Sequence, residues 1–191
     1  METFDVEGFP ETKLMLALFK NVKNATNLKS KHLNRVALVD AGLLLSVFQL
    51  RVAAAMAVEK EKAGKMKTRS LPSEMVWSLS GSKNITGTLQ TFCVQEVDDA
   101  DLLIAAIGMS ESDLRLIIGD VQGESCGLKG LGQGVQGPHG SGDGDGHQQN
   151  QRDGGGKLRE RMKKLYKITE DELAINSLED CVVMRMAVKD H

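Results

Sequence analysis

The sequence predicts an α+β domain, and three observations carry that expectation. Continuous apolar runs at Lys13–Phe19 and Leu102–Ile107 have the length and composition of buried strands. Elsewhere apolar residues recur at helical spacing behind Ser and Thr residues that suit N-caps. Strands and helices do not alternate regularly, so a parallel βαβ architecture is not indicated. The 191 residues, 41% hydrophobic and 26% charged, supply one core with a polar surface, and we expect a single domain over 1–191.

Taken in order, Pro10-Glu11-Thr12 reads as a turn before the first strand at 13–19. From Asn24, Ala25, Leu28, His32 and Leu33 fall at helical spacing and predict a short surface helix. The run Ala41–Leu50 is core material, too short to span a bilayer. Ser46 caps a longer helix to about Ala63, with Phe48, Val52, Ala55, Met56 and Ala57 as its apolar stripe and Gly64 as its stop. Pro72 suits the first turn of a short amphipathic helix ending before Gly81, and Ile85, Leu89 and Phe92 predict another. Leu102–Ile107 is expected to be a central strand. Ser110-x-x-Asp113 then opens a helix through Leu114, Ile117, Ile118 and Val121.

Between about Gly123 and Gly156, Gly, Gln, Asp and His dominate, and apolar anchors are too few to offset the entropy of ordering; a flexible insert is expected at about 127–156. Order returns at Lys157 with a basic helix carrying Leu158, Met162, Leu165 and Tyr166. The box Thr169-x-x-Glu172 and the segment Ser177–Asp190 close the chain.

The function classes narrow by exclusion. A net charge of −2 supplies no global field toward nucleic acid or anionic membrane, so such binding needs a local patch. Cys93, Cys126 and Cys181 lie far apart, match no zinc spacing and cannot all pair, which points to a reducing compartment. The acidic start lacks the blocks of a signal peptide. Gly132, Gly134 and Gly137 match a dinucleotide fingerprint but lack the strand before and helix after it. Asp143-Gly144-Asp145 resembles a calcium loop without its closing glutamate, and His139 and His147 have no third ligand in sight. His32 and His191 are also poorly placed for a general base. We therefore expect no catalytic residues, no metal and no cofactor.

The one feature with local chemistry is Lys65-Met66-Lys67-Thr68-Arg69. In an extended stretch its three cations share one side, a geometry that suits phosphates; a solvated turn complementing a helix C-terminus accounts for them equally well. Lys83 and Asn84 in a neighbouring turn are weaker candidates. Lys163, Lys164 and Lys167 read as the wet face of an amphipathic helix. Met184 and Met186 are either gap-fillers of the core or an adaptable interface.

Several segments together resemble a known family: Leu16-Ala17-Leu18-Phe19, Phe48-Gln49 before Val52-Ala53-Ala54, Gly64–Arg69, Glu74 before Leu79-Ser80, Lys163-Lys164-Leu165-Tyr166, and the ending Met184-Arg185-Met186 with Lys189-Asp190. The chain is similar to the PRPK-binding proteins, small accessory subunits of the KEOPS (EKC) complex, over about 9–125 and 157–190. Nothing from the family transfers to 129–156. The resemblance implies a sheet flanked by helices and a non-catalytic subunit, in cytoplasm and nucleus, that docks on the N-terminal lobe of the atypical kinase PRPK. The complex makes threonylcarbamoyladenosine in tRNA, and the resemblance also implies engagement of the single-stranded CCA end. On that basis Lys65, Lys67, Arg69, Lys83 and Asn84 are the expected tRNA contacts. Val183, Met184, Arg185 and Met186 are the expected kinase contacts. The remaining reading is a protein adaptor that regulates the kinase without touching RNA.

Overall fold

Backbone hydrogen bonding organises the chain around β2 (Phe9–Val22), which pairs along one edge with β4 (Ala100–Ile107) and along the other with β1 (Glu2–Val6) and β5 (Glu124–Cys126). The short β3 (Ala37–Asp40) completes the sheet beyond β4, and every pairing is antiparallel. This is a computed structural model that describes residues 1–94, 100–132 and 152–190. The fold is α+β, as expected.

Alternation of side chains along β2 and β4 divides the core into two layers. Leu14, Leu16, Leu18, Leu103 and Ala105 face one side, where α2 (Val47–Lys62), α3 (Leu71–Ser78), α4 (Ile85–Phe92), α6 (Arg152–Tyr166) and α8 (Leu178–Ala187) contribute to the core. Met15, Ala17, Phe19, Leu102 and Ile104 face the other, covered by α1 (Ala25–His32) and α5 (Glu111–Gly119). Burial on both faces explains why residues 14–19 read as an unbroken apolar run.

The local signals set most of the boundaries. The side chains of Ser46, Ser70, Asn84, Ser110 and Ser177 each accept a backbone N–H three residues on, and Thr169 with Glu172 forms a full capping box for α7 (Glu170–Ile175). Gly64, at φ +65°, supplies the left-handed residue after the C-cap of α2.

Four expectations need correction. The chain reverses at Glu7–Gly8, with Gly8 at φ +78°, and Pro10–Thr12 lies inside β2, because Glu2–Val6 is itself a strand paired with β2. The buried face of α2 is Leu50, Ala53, Ala54, Ala57 and Val58, whereas Phe48 is 51% exposed: alanines let the helix approach the sheet closely, and the stripe at Phe48, Val52 and Met56 is rotated outward. α3 is a buried central helix rather than an amphipathic one, with Glu74 to Ser78 all buried. His32 is buried too and meets the Asp120 carboxylate at 2.9 Å.

At the glycine-rich tract the edges differ from expectation. Cys126 pairs with Leu18 in β5, Leu128 is buried at the start of a 3-10 turn over Leu128–Gly130, and α6 already begins at Arg152. The central part, with His139, Asp143, Asp145 and His147, lies outside the described residues, as does His191.

Candidate nucleic-acid interface

The basic loop begins where α2 stops. Lys65 N–H still bonds back to the Lys60 carbonyl at 2.8 Å, and α3 opens behind the N-cap Ser70. Between these ends the chain bends rather than forming a strand, yet Lys65, Lys67 and Arg69 are exposed while Met66 and Thr68 are half-buried. The sidedness expected of an extended strip is thus achieved by a different backbone.

The cause of the bend is Glu74, whose side chain is fully buried in α3. Its Oε2 accepts the backbone N–H of Lys67 at 3.0 Å and of Thr68 at 2.8 Å, and the Thr68 hydroxyl at 2.8 Å. Its Oε1 faces the Lys60 ammonium at 3.7 Å. Lys60 stacks in turn over the Trp77 ring at 4.4 Å, and Lys189 lies over the same ring at 3.7 Å while donating to the Trp77 carbonyl. A buried charge this well supplied with donors is tolerated where an unpaired one would be ejected. Among the described residues, no carboxylate lies within ion-pair distance of Lys65, Lys67 or Arg69.

Beside the start of α3 lies an open pocket of about 230 Å³, lined by Lys29, Leu38, Pro72, Val76, Leu89 and Cys93 among others. It is smaller than the roughly 300–1,000 Å³ of typical cofactor sites. Burial pushes the Cys93 thiol up, which disfavours the thiolate a nucleophile needs. Among the described residues no group of three His, Cys, Asp or Glu could hold a metal ion.

Lys83 and Asn84 are exposed and lie in a different loop from Lys65, Lys67 and Arg69. They follow the far end of α3, a helix about 12 Å long whose near end adjoins Arg69. The Asn84 carbonyl is committed to the Gly87 N–H as the cap of α4. Gly81 in the same loop packs on α8, where a Cβ would meet that of Arg185 at 3.2 Å.

On α8 the four expected kinase contacts separate. Met184 is 54% exposed and Val183 half-buried. Arg185 reaches Glu172 at 2.6 Å and the Tyr166 carbonyl at 3.3 Å. Met186 is fully buried in the main core and is not available to a partner, because α8 turns that face toward α2 and α6. Sequence reasoning missed Glu74 as an organiser of the loop. Its signal was an acid four residues behind the cap of an otherwise apolar helix.

The comparisons with known proteins bear on the same residues. The family described as kinase binding protein CGI-121 matches residues 19–190. The EKC/KEOPS complex subunit TPRKB of Danio rerio is 35% identical over 198 aligned positions, covering 98% of this chain and 97% of that protein. The EKC/KEOPS complex subunit CGI121 of Yarrowia lipolytica is 33% identical over 110 positions, 54% of this chain and 64% of that protein. Its counterpart in Eremothecium gossypii is 29% identical over 117 positions, 59% and 66% respectively.

Proposed function

The chain belongs to the CGI-121 family of kinase-binding proteins, and from that premise we propose that it is a non-catalytic accessory subunit of the KEOPS (EKC) complex. In this reading it docks on the PRPK kinase subunit and helps bind tRNA for threonylcarbamoyladenosine modification in cytoplasm and nucleus. The observation that carries the RNA half is the loop at 65–69, where three exposed cations, with no carboxylate partner among the described residues, stand on a backbone held by buried Glu74.

Such a loop recognises phosphates. Lys65, Lys67 and Arg69 contact the backbone of the single-stranded CCA end, with Lys83 and Asn84 as outlying contacts. The apolar pocket at Pro72, Val76 and Leu89 offers a surface on which an unstacked base can rest, since single-stranded RNA is read through its exposed bases. The kinase half falls to the exposed side of α8, with Val183 and Met184 as apolar contacts and Arg185 at the rim.

The test uses the full-length chain with purified PRPK and with tRNA carrying or lacking its CCA end. Kinase capture together with tRNA binding that weakens with salt and with loss of CCA supports the proposal. Kinase capture without any tRNA binding leaves the adaptor reading, and failure of capture removes the docking claim.

A further inference from the structure

The cations of the loop are aimed by a carboxylate that no ligand can touch. We propose that Glu74 is the positioning residue of the tRNA-binding strip; this rests on the strip's role given above. Two loop amides and a hydroxyl converge on Glu74 Oε2 at 2.8–3.0 Å. The ends of the loop are set independently, by Gly64 at φ +65° and by Ser70 in an extended conformation. Its middle is set by Glu74. An ordered loop presents its cations without first losing backbone freedom on binding.

The sign of the charge is at first sight wrong, because a carboxylate near a polyanion opposes binding. The donated N–H and hydroxyl groups and the Lys60 ammonium at 3.7 Å offset that charge. Glutamine is nearly the same size, but its amide NH2 must face either the Lys60 ammonium or the loop N–H groups, donor against donor in both orientations. The position therefore requires a carboxylate of this length.

The experiment is a tRNA titration at several salt concentrations, paired with hydrogen exchange of the Lys67 and Thr68 amides. Glu74→Gln is expected to weaken tRNA binding about tenfold and to lower the salt slope by roughly 0.7 or more, one phosphate contact or more. Both amides lose their protection in that variant. In a background of Lys65→Ala, Lys67→Ala and Arg69→Ala, Glu74→Gln causes no further loss, because it acts only through those cations. Wild-type affinity and slope in folded Glu74→Gln overturn the proposal and leave the strip standing. An additional loss in the triple-alanine background overturns it too. Should the triple-alanine chain bind tRNA like wild type, the strip itself is excluded and Glu74 with it. If Glu74→Gln does not fold, Thr68→Val, which deletes only the hydroxyl contact, replaces it with the same expected direction, and a wild-type slope there overturns the proposal.

Discussion

In the loop at 65–69 three cations stand in solvent with no described carboxylate in reach, while in the C-terminal region Lys163, Arg185 and Lys189 are engaged internally and Lys157, Arg161, Lys164 and Lys167 are exposed. Lys163 is held between Glu160 and Glu170, and the hydrogen bonds it donates to Glu170 and then Glu160 raise the pKa of its ammonium. Arg185 binds Glu172, and Lys189 is buried against Trp77. Both regions keep exposed cations, but only in the loop do three of them stand on a backbone fixed by a buried carboxylate, Glu74. Lysine count along the chain is thus a poor guide to a phosphate site, since the fold takes up Lys163 with two carboxylates and Lys189 with the Trp77 ring and carbonyl.

The comparison is broken most severely by treating the C-terminal region as surface. Met186→Asp places a charge in a fully buried site, at a cost of about 4 kcal/mol or more, a large part of the stability of an ordinary domain. Loss of a cooperative thermal transition in the free chain is the expected result. Retention of a native melt would move Met186 to the surface.

A smaller effect is expected at Tyr166, which anchors α6 by donating to the Leu79 carbonyl and accepting from Gln49 Nε2 at 3.0 Å. Tyr166→Phe strands both partners in the core and costs about 1–3 kcal/mol in urea unfolding. Its tRNA affinity remains that of wild type, since the residue belongs to the internally satisfied region.

The fold was legible wherever the signal was local. Ser46, Ser110 and Thr169 announced helix starts because a cap needs only a side chain and an amide three residues away. β5 was not legible: Glu124–Cys126 gains its order from a ladder with β2 made by backbone groups, which composition does not record. Met184 and Met186 could not be told apart, since they lie on opposite faces of α8 and which face is buried is decided only by where the helix docks. The candidate strip was found by its charge pattern, but its organiser escaped notice because Glu74 acts on amides that every residue possesses.

Acid titration sharpens the comparison at Glu172. The Thr169 backbone N–H, and after it Arg185, holds its carboxyl below the ordinary 4.5. A lowered folded value means the native state binds the proton less readily than the unfolded chain, so this contribution is complete above the ordinary value and is lost as pH falls through the folded one. Thermal melts of Glu172→Gln between about pH 3 and 7 should show a shallower acid limb than wild type. The smallest change in stability is expected for Met184→Asp, within about 0.5 kcal/mol because the side chain is half in solvent. That variant should instead weaken PRPK capture, and unaltered capture would shift the docking face away from Met184.

The central claim is that the loop, and not α6, meets RNA, and parallel salt titrations of tRNA binding measure it directly. Replacing Lys65, Lys67 and Arg69 by alanine should lower the salt slope by about 2, near 0.7 for each lost phosphate contact. Replacing Lys163, Lys164 and Lys167 by alanine should leave the slope close to wild type. A drop in slope confined to the α6 variant, with the loop variant unchanged, would contradict the account.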